Sequence, residues 1–504
     1  MKNNFSKTCL YLAFAFIFIH LIIYRLIQNS LQSLWLDESI MVFIANHPLF
    51  SKSFFMALTE NIAGMPWPFI EYRVYLHILK LLPFNYVFDH LEFFLRLPLT
   101  FYSTITAVCA FLMVRRLSTS TVFASIVTFF LFGVNYLSAH LGSELRFHSS
   151  AFMHITISWM LLSYILTMEN NKHAKLLWIL WLISAMLTGF SHLYGIYSLG
   201  IEAIVLLLNI NGNLSKKSRI LSLIYLGFAI AAQILFYKFC TIHPYHRDLY
   251  TGDVSVLIKT TFTILNHYIF IPNLWLWLIF FSVAWILALL KQKTLKEKIH
   301  YGLLGILALL QLTVMAVLCF IYLYWQWGPE NWAPRYIIAG VVPFVFFLSL
   351  LSKNLFQSGW DNKLSIVIGI CILWFYIFSG HACRTYWPEK KDFDPSDRWL
   401  QIKTLIQKNN AYGKVNAALG VAPNRRAIDQ RDIYGNSLDV TWQIYTGGPF
   451  STSSFLQYDK DFLAGRKGFP CAVRDLYPIA QGIGKSFVID FCEKDAVSLR
   501  ILEN

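Results

Sequence analysis

The chain has 504 residues, 56% of them hydrophobic and 14% charged. Soluble proteins carry about 25% charged residues, so a single soluble globule, a disordered chain and a disulfide-stapled secreted module are excluded. The net charge of +14 sits largely in short loops between apolar runs, which argues against nucleic acid as a partner.

The charge is unevenly spread. The last 122 residues hold 31 Asp, Glu, Lys and Arg, and the first 382 hold 39. That split predicts a membrane-embedded domain over 1–382 and a soluble domain over 383–504, the latter long enough to bury its own core. Measured against the ~20 residues needed to cross a hydrocarbon core, eleven runs qualify. They lie near 9–28, 94–114, 121–139, 149–168, 176–193, 195–210, 219–239, 272–290, 301–323, 336–352 and 364–382.

Every second loop is basic: Arg115 and Arg116, Lys172 and Lys175, Lys216 to Arg219, Lys291 to Lys298, Lys353 and Lys363. The positive-inside rule puts these loops in the cytoplasm, and an odd number of spans puts the tail outside. The outer loops are then 29–93, 140–148, the turn near 191–195, 240–271 and 324–335. Within the first, Phe69 to Leu82 is apolar but carries Glu71, Arg73, His77 and Lys80, which predicts an interfacial helix rather than a span. The middles of the spans are almost free of charge, which disfavours a transporter or flippase. In the tail, Trp399 to Ile406 is amphipathic, and Lys414 to Leu419 and Ser486 to Phe491 are β-like. The expected fold is a polytopic α-helical membrane protein of about eleven transmembrane helices, with a small α/β C-terminal extracytoplasmic domain.

The most informative stretch is Ser33-Leu34-Trp35-Leu36-Asp37-Glu38-Ser39, just after the first apolar run. Neighbouring carboxylates raise one another's pKa, which suits a general base. Asp37 is equally placed to cap a helix over Ile40 to Ala45. His243 and His246 with Glu60 or Glu71 offer a weak divalent-metal alternative; no metal or other cofactor is assured. Cys471 and Cys492 are candidates for a disulfide if the tail faces an oxidising compartment.

Trp-x-Asp-Glu directly after the first span resembles the first outer loop of the GT-C membrane glycosyltransferases. This superfamily includes protein O-mannosyltransferases, lipid A aminoarabinose transferases and lipopolysaccharide core transferases. Met65-Pro66-Trp67-Pro68-Phe69, Arg96-Leu97-Pro98, Ser143-Glu144-Leu145-Arg146-Phe147-His148, Ser191-His192-Leu193-Tyr194-Gly195 and Pro334-Arg335-Tyr336 extend the likeness over roughly 30–340. The resemblance implies transfer of a sugar from a polyprenyl-phosphate donor to a glycolipid, glycan or protein acceptor, outside the inner membrane and with inversion. Asp37 matches the family's base, Glu38 would orient it or hold the sugar, and Glu144 matches a second acidic position. The leaving phosphate needs a cation, for which Arg146, Arg335 and Arg73 are candidates in that order. Arg96 is expected to anchor the helix entrance. His192, Tyr194 and Tyr336 fall in family landmarks and are candidate substrate contacts, although His192 also suits a satisfied interfacial histidine.

Overall fold

The computed structural model describes chiefly residues 66–133, 147–167, 174–209, 214–240, 251–270, 273–325, 337–356, 396–413, 415–419, 486–490 and 498–502, with single residues elsewhere that include Arg25 and Ala45. They fall into two compact units. The first comprises Met1–Leu26, Ile62–Glu71 and Leu97–Pro388, and the second Ile27–Asn61, Tyr72–Arg96 and Glu389–Asn504.

The described helices are α1 (Pro66–Leu79), α2 (Phe84–Asp89), α3 (Leu91–Ser118), α4 (Thr121–Thr128), α5 (Phe147–Leu166), α6 (Ala174–Ser191), α7 (Leu193–Leu208), α8 (Lys216–Cys240), α9 (Val254–Thr263), α10 (Leu274–Leu290), α11 (Leu295–Trp325), α12 (Ile338–Phe356) and α13 (Ser396–Lys408). Among the described residues, four stretches are long and apolar enough to cross a membrane: Leu91–Ser118, His148–Leu166, Lys216–Phe236 and Leu295–Ile321. Five shorter apolar helices accompany them. On α8, Ile220, Leu221, Ile224 and Phe228 are exposed, as are Leu276, Ile279, Val283 and Ile286 on α10. Apolar residues on an outer helix face are what a bilayer covers.

The interior of the first unit is built where α5 packs against α6 and α12. Trp159 of α5 is fully buried. Its ring lies 4.7 Å from that of Phe346, and its Nε1 donates to Ser198 Oγ of α7 at 2.8 Å. Burying a tryptophan this deeply requires such an acceptor for its N–H. The turn between α6 and α7 is equally specific. A Cβ at Gly195 would stand 2.1 Å from the Thr188 carbonyl oxygen, so only glycine lets the two helices meet there.

Three details go beyond the expected elements. Within the run 121–139, α4 gives way to a π-helical turn over Phe129–Gly133. The expected outer loop 240–271 contains α9, opened by Asp253, whose side chain accepts from Ser255 N at 2.8 Å. One ionisable side chain also lies inside an apolar helix. Glu202 of α7 is fully buried, with Oε2 accepting from Ser158 Oγ and Trp181 Nε1 at 2.9 Å each. Two neutral donors make that burial tolerable where an isolated carboxylate would not be.

In the second unit, three strands form a sheet in the order β1 (Val415–Leu419), β2 (Ser486–Asp490), β3 (Ser498–Leu502). β1 and β2 are parallel, and β2 and β3 antiparallel. α13 packs against β3. The β-like runs around 414–419 and 486–491 locate the first two strands; β3 was not anticipated. The eleventh run, 364–382, and the candidate disulfide cysteines Cys471 and Cys492 lie outside the described residues.

Candidate active site

Asp37, Glu38, Glu144, Arg146, Arg335 and Tyr336 lie outside the described residues, as do Glu60, His243 and His246. Of the sequence candidates, Arg73, His192, Tyr194, Arg96 and Glu71 are described.

In the first unit, α1 is fastened to the beginning of α5 through Glu71. Its carboxylate accepts from Trp67 Nε1, Ser150 Oγ and His154 Nε2, all at 2.6 Å. Trp67 is one helical turn before Glu71, and Ser150 and His154 are one turn apart on α5, so both spacings put the donors on one face. Burial works to raise the Glu71 pKa, but the bonds from His154, Ser150 and Trp67 and the charge of His154 outweigh it and lower the value. The lowered value favours the ionised form of this anchor. The divalent-metal alternative through Glu71 would have to displace these donors. Among the described residues no three His, Cys, Asp or Glu gather as a metal site.

His192 stands between α6 and α7 as the cap of α7. Its Nδ1 accepts from Tyr194 N at 3.0 Å, and it is buried. Its ring stacks on Tyr194 at 4.6 Å and lies 5.1 Å from that of His148. Accepting at Nδ1 puts the imidazole proton of the neutral form on Nε2. His192 and Tyr194 are thus brought together, with His148 as a third ring.

Sequence reasoning missed Arg25. It is buried near the end of the first apolar run, with Nη1 donating to Ser103 Oγ and Nη2 to the Gly133 carbonyl, each at 2.9 Å. Gly133 closes the π-helical turn, a feature frequent at functional sites. An arginine near the end of an apolar run was the available signal.

In the second unit, Arg73 is 9% exposed. Its Nη1 donates to the Ala45 carbonyl at 2.8 Å, and its Nε has no partner among the described residues. None of the described carboxylates pairs with it. The flanking tyrosines hold this part of α1. Tyr72 Oη donates to the Leu95 carbonyl at 2.8 Å, and Tyr75 Oη donates to the Phe94 carbonyl. Four residues after Phe94 comes Pro98, inside α3. Proline has no N–H to give, so the Phe94 carbonyl lacks its helical partner and the tyrosine hydroxyl supplies the bond. Burial raises the Tyr75 pKa, which keeps that hydroxyl a donor. Arg96 is buried beside this turn, at 3% exposure.

No protein-family model and no curated protein matches the chain. Among solved structures, the chain is similar to the crystal structure of ArnT from Cupriavidus metallidurans in the apo state. The TM-score is 0.43 at 10% sequence identity, with 96% of this chain and 93% of that chain covered.

Proposed function

We propose that the chain is an inverting membrane glycosyltransferase of the GT-C kind that moves a sugar from a polyprenyl-phosphate donor to an acceptor hydroxyl outside the inner membrane. The observation that carries this reading is Arg73, a guanidinium nine-tenths buried with no carboxylate partner among the described residues. A buried guanidinium gains from an anionic partner, so this position suits an anion. A lipid phosphate is a suitable one, because the planar fork of arginine binds phosphate through paired hydrogen bonds and keeps its charge when buried. Arg73 therefore moves ahead of Arg146 and Arg335 as the phosphate ligand, and those two share the charge.

Asp37 takes the proton from the acceptor hydroxyl as its oxygen bonds to the anomeric carbon. The bond from that carbon to the phosphate oxygen breaks on the opposite side, and the lipid phosphate departs with the electron pair. Glu38 orients Asp37 or holds the sugar, and Glu144 binds sugar hydroxyls or the acceptor. Tyr336, His192 and Tyr194 contact the substrate. The C-terminal domain is extracytoplasmic and of α/β type, and the first 382 residues supply about eleven spans. The acceptor is a glycolipid, a glycan or a protein.

A transporter or flippase of lipid-linked glycans is the second reading. Glu202 favours it, since ionisable side chains inside spans mark transport pathways; the outer acidic pair favours transfer.

Purified full-length protein, titrated with a polyprenyl phosphate and followed by thermal unfolding, tests the anion site. Ligand binding to the folded state raises the midpoint. Arg73→Ala is expected to abolish the rise and Arg73→Lys to keep part of it. A full rise in Arg73→Ala removes the observation on which the reading stands.

A further inference from the structure

The second unit contains a continuous set of contacts from the C-terminal domain to Arg73. Lys403 of α13 pairs with Glu92, in the first turn of α3, at 2.5 Å. The two side chains are 9% and 3% exposed. One turn further along α13, Gln407 Nε2 donates to Asp89 Oδ1 at 2.7 Å. Past the helix end, the Tyr412 ring lies 4.9 Å from Phe84 and 4.8 Å from Phe88. Ile402 and Ile406 of the same helix are buried. The C-terminal domain thus grips α2 and the start of α3 by a buried ion pair, an amide bond and an aromatic cluster.

Two and three residues after Glu92 come Phe94 and Leu95, whose carbonyls receive Tyr75 and Tyr72. These tyrosines flank Arg73 on α1. A buried ion pair broken on one side leaves an uncompensated charge, so the start of α3 depends on Lys403 for its position. The hydroxyl bonds to Phe94 and Leu95 transmit that position to α1.

We infer that the C-terminal domain is a positioning element for the anion site, with Lys403 and Glu92 acting through Tyr72 and Tyr75 on Arg73. Neither Lys403 nor Glu92 is a catalytic residue. The inference rests on Arg73 being the anion ligand, but the coupling itself has a readout free of ligand.

Amide hydrogen exchange of the full-length protein supplies that readout, because local opening is reported segment by segment. Lys403→Met is expected to speed exchange over Tyr72–Leu79 by about tenfold or more while leaving Phe147–Leu166 at the rate of the parent. Parent-like exchange over Tyr72–Leu79 overturns the inference. If every segment loosens, the variant has misfolded, and the exchanged pair Glu92→Lys with Lys403→Glu decides. Recovery of protection over Tyr72–Leu79 in the exchanged pair upholds the coupling, and no recovery overturns it.

A second arm separates this inference from the reading of Arg73. Lys403→Met and Tyr72→Phe are expected to weaken polyprenyl phosphate binding by about fivefold or more, affecting Kd without abolishing the site. Parent-like binding in both variants overturns the positioning role. A parent protein that binds no polyprenyl phosphate, yet shows the exchange effect, refutes the Arg73 reading and the anion-site role while leaving the mechanical link standing.

Discussion

Replacing Glu71 with glutamine changes the charge of the α1 anchor with almost no change in volume. The carboxylate receives three donors at 2.6 Å. A hydrogen bond to a charged group contributes about 1.5–3 kcal/mol and a neutral one about 0.5–1.5, so three bonds lose about 3 kcal/mol together. The glutamine Nε2 that replaces Oε2 faces the Ser150 hydroxyl, which turns to accept instead of donate, so no donor is left unpaired. Glu71 retains 18% side-chain exposure, which places the total near the low end, at about 3 kcal/mol. Thermal unfolding of Glu71→Gln, His154→Gln and the double variant measures it. The two single changes should be non-additive by about 1 kcal/mol or more, and additivity within about 0.5 kcal/mol would refute the anchor.

The same anchor has a pH signature. The folded-state pKa of Glu71 lies below its ordinary value of 4.5, so its stabilisation is fully present above that value. It is lost as the pH falls through the depressed folded-state value. The stability gap between parent and Glu71→Gln should therefore shrink as the pH falls below 4.5; a gap that widens there has the wrong sign.

Two further outcomes are expected. Gly195→Ala should prevent accumulation of folded protein, since its Cβ would meet backbone atoms of Thr188 at 2.1 and 2.7 Å; normal yield by size-exclusion chromatography contradicts the close approach. His192→Asn should keep the α7 cap, while His192→Ala loses about 1 kcal/mol; if His192 also touches substrate, Asn will restore the unfolding midpoint but not transfer.

Much of the helical architecture was legible because apolar runs of near-spanning length have few alternatives in a bilayer. The runs at 149–168, 176–193 and 272–290 fall within two residues of the ends of α5, α6 and α10. The short turn near 191–195 between two apolar helices was readable too, and the structure gives its reason in the Gly195 contact. The amphipathic stretch Trp399 to Ile406 lies wholly within α13. Pairings distant in sequence were not legible. Lys403 and Glu92 are 311 residues apart, and Glu71 and His154 are 83 apart; residue type alone does not say which polar groups converge. Glu202 was visible as a carboxyl in an apolar run, but its neutral donors, Ser158 and Trp181, come from two other helices. Arg73 was legible as a candidate, whereas its burial without a described counter-ion required coordinates.

Mass spectrometry of the glycolipids and glycans from cells carrying the parent chain, Asp37→Asn or no chain tests glycosyl transfer most directly. Loss of a general base slows a reaction by about 10²–10⁴-fold. One hexose, pentose or amino-sugar increment should be present with the parent and missing both without the chain and with Asp37→Asn expressed at parent level. An increment that survives in Asp37→Asn would contradict the assigned base. Identical profiles in all three, with lipid-linked sugar accumulating on one face of the membrane when the chain is absent, would contradict transfer itself and favour the flippase reading.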